Sequence, residues 1–216
     1  MTEPQQPTGL ILVVDAGAGV LERLNAALAV SQISSVVVRA PAGGRPLDAA
    51  GVKPLVAAAQ ASGAAALIEA DARLARTLKA DGVHIPVADD MAAAYAEARE
   101  IVGTGLVVGL DAGRSRHDAM TAGEDGADYV GFGIPAFVKD REASSARRLE
   151  LIAWWAEIFE VPSVAFDVAS ADEAGDLARA GADFVAVTLS NGTTPAAAHA
   201  LVQAFAAAIR DSDDVT

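Results

Sequence analysis

Three segments of the chain repeat one pattern: Ala80-Asp81-Gly82-Val83-His84, Gly126-Ala127-Asp128-Tyr129-Val130-Gly131 and Gly181-Ala182-Asp183-Phe184-Val185-Ala186. Each follows an alanine-rich stretch and opens a short apolar run. A small turn residue, then Ala, Asp and an apolar pair, suits the end of a helix and the start of a buried parallel strand. Meeting that junction three times predicts a cyclic β/α repeat, and so a barrel. A barrel of this kind places any active site beyond the C-terminal ends of its strands.

The rest of the chain keeps the same alternation. Apolar runs fall at 10–14, 35–39, 65–69, 82–85, 105–109, 129–133, 163–166 and 184–187. They are nearly continuous in Val, Ile, Leu and Ala, as strands buried on both faces are. The amphipathic stretches between them predict helices at 17–31, 46–62, 71–80, 88–102, 115–125, 144–160, 170–180 and 193–210. Ser170 with Glu173 three residues later has the capping-box pattern. Asp71 or Ala72 opens the third helix, and Gly63, Gly103, Gly126 and Gly181 follow helices, where glycine readily takes positive φ. The sequence therefore predicts an α/β fold, a single (β/α)8 TIM barrel over residues 10–210, with a flexible N-terminus at 1–9 and an acidic tail at 211–216. The rival is an open doubly wound sheet, whose nucleotide binders carry G-x-G-x-x-G after the first strand. Here Asp15-Ala16-Gly17-Ala18-Gly19-Val20 begins that pattern, and its third glycine is missing.

Composition narrows the partners. A formal net charge of −13 argues against nucleic acid, which needs a basic face. The absence of cysteine excludes disulfides, thiolate metal sites and cysteine nucleophiles. His84, His117 and His199 are too scattered for a dedicated zinc or iron site. No apolar run reaches the ~18 residues of a membrane span, and the N-terminus lacks the regions of a secretory signal. A soluble cytoplasmic protein is expected. Lys139-Asp140-Arg141-Glu142 and Arg147-Arg148 read as a charged loop ahead of the sixth helix, either a lid over the barrel mouth or a solvated linker. In that helix Trp154 and Trp155 point ~100° apart. One faces the sheet, and the other meets either neighbouring helices or a partner subunit of a homo-oligomer.

The run Asp81-Gly82-Val83-His84-Ile85 with Asp89, then Gly126-Ala127-Asp128-Tyr129-Val130-Gly131-Phe132-Gly133, then Gly181-Ala182-Asp183, resembles the thiamine-phosphate synthase and thiazole tautomerase family over roughly residues 10–205. The resemblance implies a barrel enzyme that joins a pyrimidine diphosphate to a thiazole phosphate, releasing diphosphate with the help of Mg2+. Its ligands would be small molecules at the C-terminal mouth. It further implies that Arg39 binds substrate, that Asp89 is a magnesium ligand and that Lys139 meets the diphosphate as the catalytic cation.

Other positions depart from the family pattern. Glu69-Ala70 replaces an Asn-Asp, so Glu69 and Asp71 are the carboxylates placed to join Asp89 on the metal. Pro86-Val87 replaces a Gly-Gln, Asp111 a serine, and Gly113 the tautomerase histidine. Ile134-Pro135-Ala136-Phe137-Val138 replaces a threonine-rich phosphate loop. Asp167-Val168 replaces a Gly-Gly turn that cups a phosphate, so Asp111 and Asp167 become the substrate-facing residues there. At ~4 Å and an effective dielectric of ~20, two like unit charges repel by about 4 kcal/mol. Two readings of the carboxylate-rich rim stand side by side: a mouth that holds a cation, or strand-following aspartates that cap helices. Two functions accompany them, a synthase with an altered phosphate site and a repurposed or non-catalytic small-molecule-binding relative.

Overall fold

The computed structural model describes residues 7–135 and 138–213. Residues 1–6 of the expected N-terminal segment, Ala136 and Phe137 of the sixth loop, and 214–216 of the expected tail lie outside the described residues. Among the described residues, eight strands alternate with eight helices: β1 (Gly9–Asp15), α1 (Val20–Leu28), β2 (Ser35–Arg39), α2 (Ala49–Ala61), β3 (Ala65–Glu69), α3 (Ala72–Leu78), β4 (Gly82–Ile85), α4 (Met91–Val102), β5 (Val107–Asp111), α5 (Arg116–Glu124), β6 (Val130–Phe132), α6 (Arg141–Ile158), β7 (Ser163–Ala165), α7 (Ala171–Arg179), β8 (Phe184–Leu189) and α8 (Pro195–Asp213). Each strand pairs in parallel with the next, and β8 closes on β1, giving the (β/α)8 barrel. No helix among the described residues is long and apolar enough to cross a membrane.

The repeated junction has a physical basis at the barrel floor. The carboxylate of Asp81 accepts the Ala66 N–H of β3 at 2.8 Å, Asp128 accepts the Val108 N–H of β5 at 2.7 Å, and Asp183 accepts the Ser163 N–H of β7 at 2.8 Å. In each case the aspartate that introduces one strand satisfies a backbone donor at the start of the strand before it. Buried N–H groups need such partners.

Side-chain alternation along the strands sorts residues into two cores. In β1, Leu10, Leu12 and Val14 join the large layer between barrel and helices. Ile11 and Val13 instead join a small interior cluster with Val37, Leu67, Tyr129, Val164, Phe166 and Ala186. Glycine makes room there for aromatics from neighbouring strands. A Cβ on Gly109 would lie 2.1 Å from the Tyr129 ring, and one on Gly131 would lie 2.6 Å from Phe166.

Of the boundaries that differ from expectation, three bear on the reading. β5 begins two residues later than 105, because Gly103-Thr104-Gly105 completes the turn after α4 rather than starting the strand. α6 begins at Arg141 and not at 144, with Asp140 capping it by accepting the Ala143 N–H. Arg147 and Arg148 are therefore helical rather than part of a loop or lid, and Arg148 is buried. α8 continues to Asp213, into the segment expected as a tail. Trp155 is buried and stacks on Phe159, while Trp154 is half-buried beneath the Arg116 guanidinium.

Candidate active site

The inward half of the strand alternation continues to the C-terminal ends, and there it becomes polar. Asp15 follows Val13, Arg39 follows Val37, Glu69 follows Leu67, His84 follows Gly82, and Asp111 follows Gly109. All five line a cavity of about 520 Å3 at the barrel mouth, closed on the far side by Phe166, Asp167, Ile134 and Arg141. That size suits a small molecule.

The charged groups are coupled. Arg39 Nε donates to Asp15 Oδ1 at 2.7 Å, linking two register partners of β1 and β2. Burial pushes the Glu69 carboxyl up to about 7. Arg39 opposes that rise, and Asp15, Asp111 and Asp167 reinforce it. Burial likewise pushes Asp111 up to about 6, against the N–H groups of Gly113 and Gly133, which each donate to its Oδ1 at 2.8 Å. His84 is driven down to about 3, by burial first and then by Arg39, so its imidazole is neutral. Its Nδ1 is hydrogen-bonded to the Tyr129 hydroxyl at 2.8 Å, and its ring centroid lies 4.7 Å from that of Phe166. Burial, then Asp111, raises Tyr129, which keeps its proton.

The loop after β7 has an unusual backbone. Asp167 takes φ +57°, a left-handed conformation rarely adopted by residues other than glycine. Its Oδ2 accepts the Ile134 N–H at 2.9 Å. The carbonyl just before it, that of Phe166, accepts from the buried Arg148 guanidinium, which also pairs with Glu173. Glu173 closes the start of α7 by accepting the Ala169 N–H at 2.8 Å, while Ser170 Oγ accepts the Glu173 N–H at 3.2 Å.

The residues expected from sequence separate into two groups. Arg39, Glu69, Asp111 and Asp167 come together at the mouth. Asp71 caps α3 by accepting the Leu74 N–H and lines a different cavity, between α3 and α4. Asp89 is exposed beside a third cavity between α4 and α5, and its neighbour Asp90 caps α4. Glu69, Asp71 and Asp89 therefore do not form one protein cage for magnesium. Among the described residues, no three His, Cys, Asp or Glu are grouped to hold a metal ion. Lys139 is exposed and off the cavity wall. Arg141, two residues on, is on that wall and donates to the Ile134 carbonyl at 3.2 Å. Of the aspartates open to a helix-capping reading, Asp71 is a cap, whereas Asp15, Asp111 and Asp167 turn into the mouth. Sequence reasoning did not single out His84 or Arg141 as site residues. Alternation from Gly82 points to His84. Nothing local in the sequence marks Arg141, which opens α6 three residues ahead of the expected helix start.

A closed parallel barrel with a polar cavity built from its strand ends belongs to the class of (β/α)8 proteins that handle small molecules at the C-terminal face. The sequence matches the family described as thiamine monophosphate synthase over residues 10–190, and the chain belongs to that family. It is 36% identical to a thiamine-phosphate synthase of Erythrobacter litoralis over 216 residues, covering 96% of this chain and 100% of that one. It is 39% identical to a thiamine-phosphate synthase of Rhodospirillum centenum over 154 residues, 71% of this chain and 72% of that protein. In fold it is similar to the thiamine phosphate pyrophosphorylase structure from Pyrococcus furiosus, with a TM-score of 0.74 and 21% identity over 94% of this chain and 96% of that one.

Proposed function

We propose that this chain acts in thiamine biosynthesis as a thiamine-phosphate synthase-type transferase, condensing a pyrimidine diphosphate with a thiazole at the barrel mouth. The observation that carries this reading is the end-to-end similarity to the Erythrobacter litoralis protein, on a barrel whose C-terminal face holds a cavity of suitable size. In the reaction, the thiazole nitrogen lone pair forms a bond to the pyrimidine methylene carbon. The carbon–oxygen bond breaks, and its electron pair leaves with diphosphate. Negative charge grows on the leaving group and positive charge on the thiazole ring, so the site needs cations on one side and carboxylates on the other.

The wall offers both. Arg39 and Arg141 are the guanidinium groups facing the cavity, and Asp111 and Asp167 are the carboxylates suited to an emerging thiazolium. Lys139, exposed two residues before Arg141, would meet the diphosphate from outside the cavity wall. Magnesium is commonly held by one or two carboxylates plus the phosphates of its substrate. Glu69, the one of the three expected ligands that lines this cavity, would hold it there, where the ion draws off charge from the departing diphosphate.

The test is direct. The purified protein is incubated with magnesium, the pyrimidine diphosphate and either the thiazole phosphate or the thiazole alcohol, and diphosphate release and coupled product are followed. Coupled product from at least one acceptor is expected. No product from either, in a protein that remains folded, would overturn the reading in favour of a non-catalytic relative.

A further inference from the structure

We infer that the acceptor taken by this mouth is the thiazole alcohol and not its phosphate monoester, and that Asp167 sets this choice. The inference rests on the condensation proposed above and names its second substrate.

A barrel receives a phosphate on unspent backbone N–H groups, in the loops near its last strands and at a helix N-terminus. Here several donors of those loops, among the described residues, are spent on the chain's own side chains. Ile134 N–H goes to Asp167, Gly133 N–H to Asp111, Ala169 N–H to Glu173, and Glu173 N–H to Ser170. After β8, the Ala197 N–H goes to Thr194 Oγ1. A phosphate dianion seeking the Ile134 or Gly133 N–H would have to displace a carboxylate and then remain beside it.

The balance of charge favours the same reading. Asp15, Glu69, Asp111 and Asp167 line the cavity against Arg39 and Arg141, and Arg39 is already paired with Asp15. The backbone adds a third observation. Asp167 is held at φ +57°, where glycine would be less strained, and its carboxylate points back at the Ile134 N–H. Strain retained at a binding loop is commonly tied to what that loop does. The Asp167 side chain fills an anion position from within. A hydroxyl can donate to such a carboxylate, whereas a phosphate dianion has no proton to donate and is repelled by it. Atoms balance in the resulting step: pyrimidine diphosphate and thiazole alcohol give the coupled thiazolium alcohol and free diphosphate.

The experiment is equilibrium titration of the wild-type protein and of Asp167→Gly and Asp167→Asn with each thiazole, with turnover measured in parallel. The wild type should bind the alcohol about tenfold or more tightly than the phosphate, a modest floor for like charges a few ångströms apart. Asp167→Gly frees the Ile134 N–H, removes the charge and suits the positive φ, so it should move the preference about tenfold or more toward the phosphate. Asp167→Asn keeps an oxygen for Ile134 and loses only the charge. It should move the preference in the same direction by less, and it serves as the test if the glycine variant is unfolded. Wild-type protein that binds or couples the phosphate as well as the alcohol would overturn the inference while leaving the condensation reading intact. An unchanged preference in folded variants would remove Asp167 from the role. Failure of both thiazoles to bind or couple would overturn the condensation reading and this inference together.

Discussion

Asp111 and Gly133 are fitted to one another across the barrel mouth. The Gly133 N–H donates to Asp111 Oδ1 at 2.8 Å, and a Cβ on Gly133 would stand 2.2 Å from Oδ2 of the same carboxylate. The glycine thus supplies both a donor and the space for its acceptor. Gly133→Ala should push the carboxylate aside and destabilise the protein by about 1–3 kcal/mol, the usual cost of overpacking. Asp111→Ala should cost about 2–5 kcal/mol, because two buried N–H groups lose their acceptor. Asp111→Asn, which keeps an oxygen in place, should cost less than half as much. Urea unfolding of the three variants measures each, and a cost for Asp111→Asn equal to that of Asp111→Ala would show that the charge rather than the hydrogen bonds matters.

The aspartates at the other end of the barrel should behave differently. Asp81, Asp128 and Asp183 hold the starts of β3, β5 and β7, far from the cavity. Replacing any one by Ala should lower unfolding free energy by about 1–3 kcal/mol through the orphaned N–H. Thiazole affinity of the folded protein should be unchanged, because none of the three lines the mouth. A fall in affinity at a temperature where the variant is fully folded would contradict that separation of floor from mouth.

The same division explains what could be read from the sequence. The junction pattern is local, one helix end and one strand start within a few residues, so three copies point to the barrel, while the backbone donor each aspartate serves lies on the strand before. The inward-facing polar residues are legible at some correctly placed strand ends, as with Arg39 and Glu69, but not at β4, where the expected bounds are those observed and His84 still goes unmarked as a site residue. Asp111, expected among the substrate-facing residues, lines the mouth even though its strand ends two residues later than expected. The alternation that carries Gly109 inward carries Asp111 inward too. Loops lack that periodicity. Asp71 and Asp89 lie just beyond strand ends, yet chain direction there depends on capping geometry, which turns Asp71 onto Leu74 and leaves Asp89 outside the mouth. Likewise Lys139 and Arg141 are two residues apart, and only the start of α6 decides which one reaches the cavity.

Stability should fall as the pH rises through the mildly acidic range. Glu69 rises from 4.5 to about 7 on folding and Asp111 from 3.8 to about 6, in both cases chiefly through burial. Between each pair of values the folded state holds a proton that the unfolded chain releases. Unfolding free energy therefore decreases with pH across those windows. The stabilisation is fully present below the unfolded values and lost as pH passes the folded ones. The melting temperature should be higher at pH 5 than at pH 7.5. A net charge of −13 adds self-repulsion in the same direction, so the assignment depends on variants. Glu69→Gln should shrink the difference, and Glu69→Gln with Asp111→Asn should shrink it further. A double variant that keeps the full wild-type difference would place its origin elsewhere.

Arg148 ties the mouth to the helix layer. Its buried guanidinium donates to the Phe166 carbonyl and pairs with Glu173, and its Nε has no partner among the described residues. Burial lowers its pKa, and Glu173 works against that shift. Removing one member of a buried pair leaves the other uncompensated, so Arg148→Met should cost about 3–5 kcal/mol. Glu173→Gln in the same chain should recover part of that loss, since no bare carboxylate then remains. Phe166 is the residue before Asp167, and its carbonyl is the point at which Arg148 holds the strained turn. The double variant, measured where it is fully folded, should therefore show a weakened preference between the two thiazoles. A double variant with wild-type preference would mean that Asp167 keeps its left-handed conformation without help from Arg148, through its own contact with Ile134.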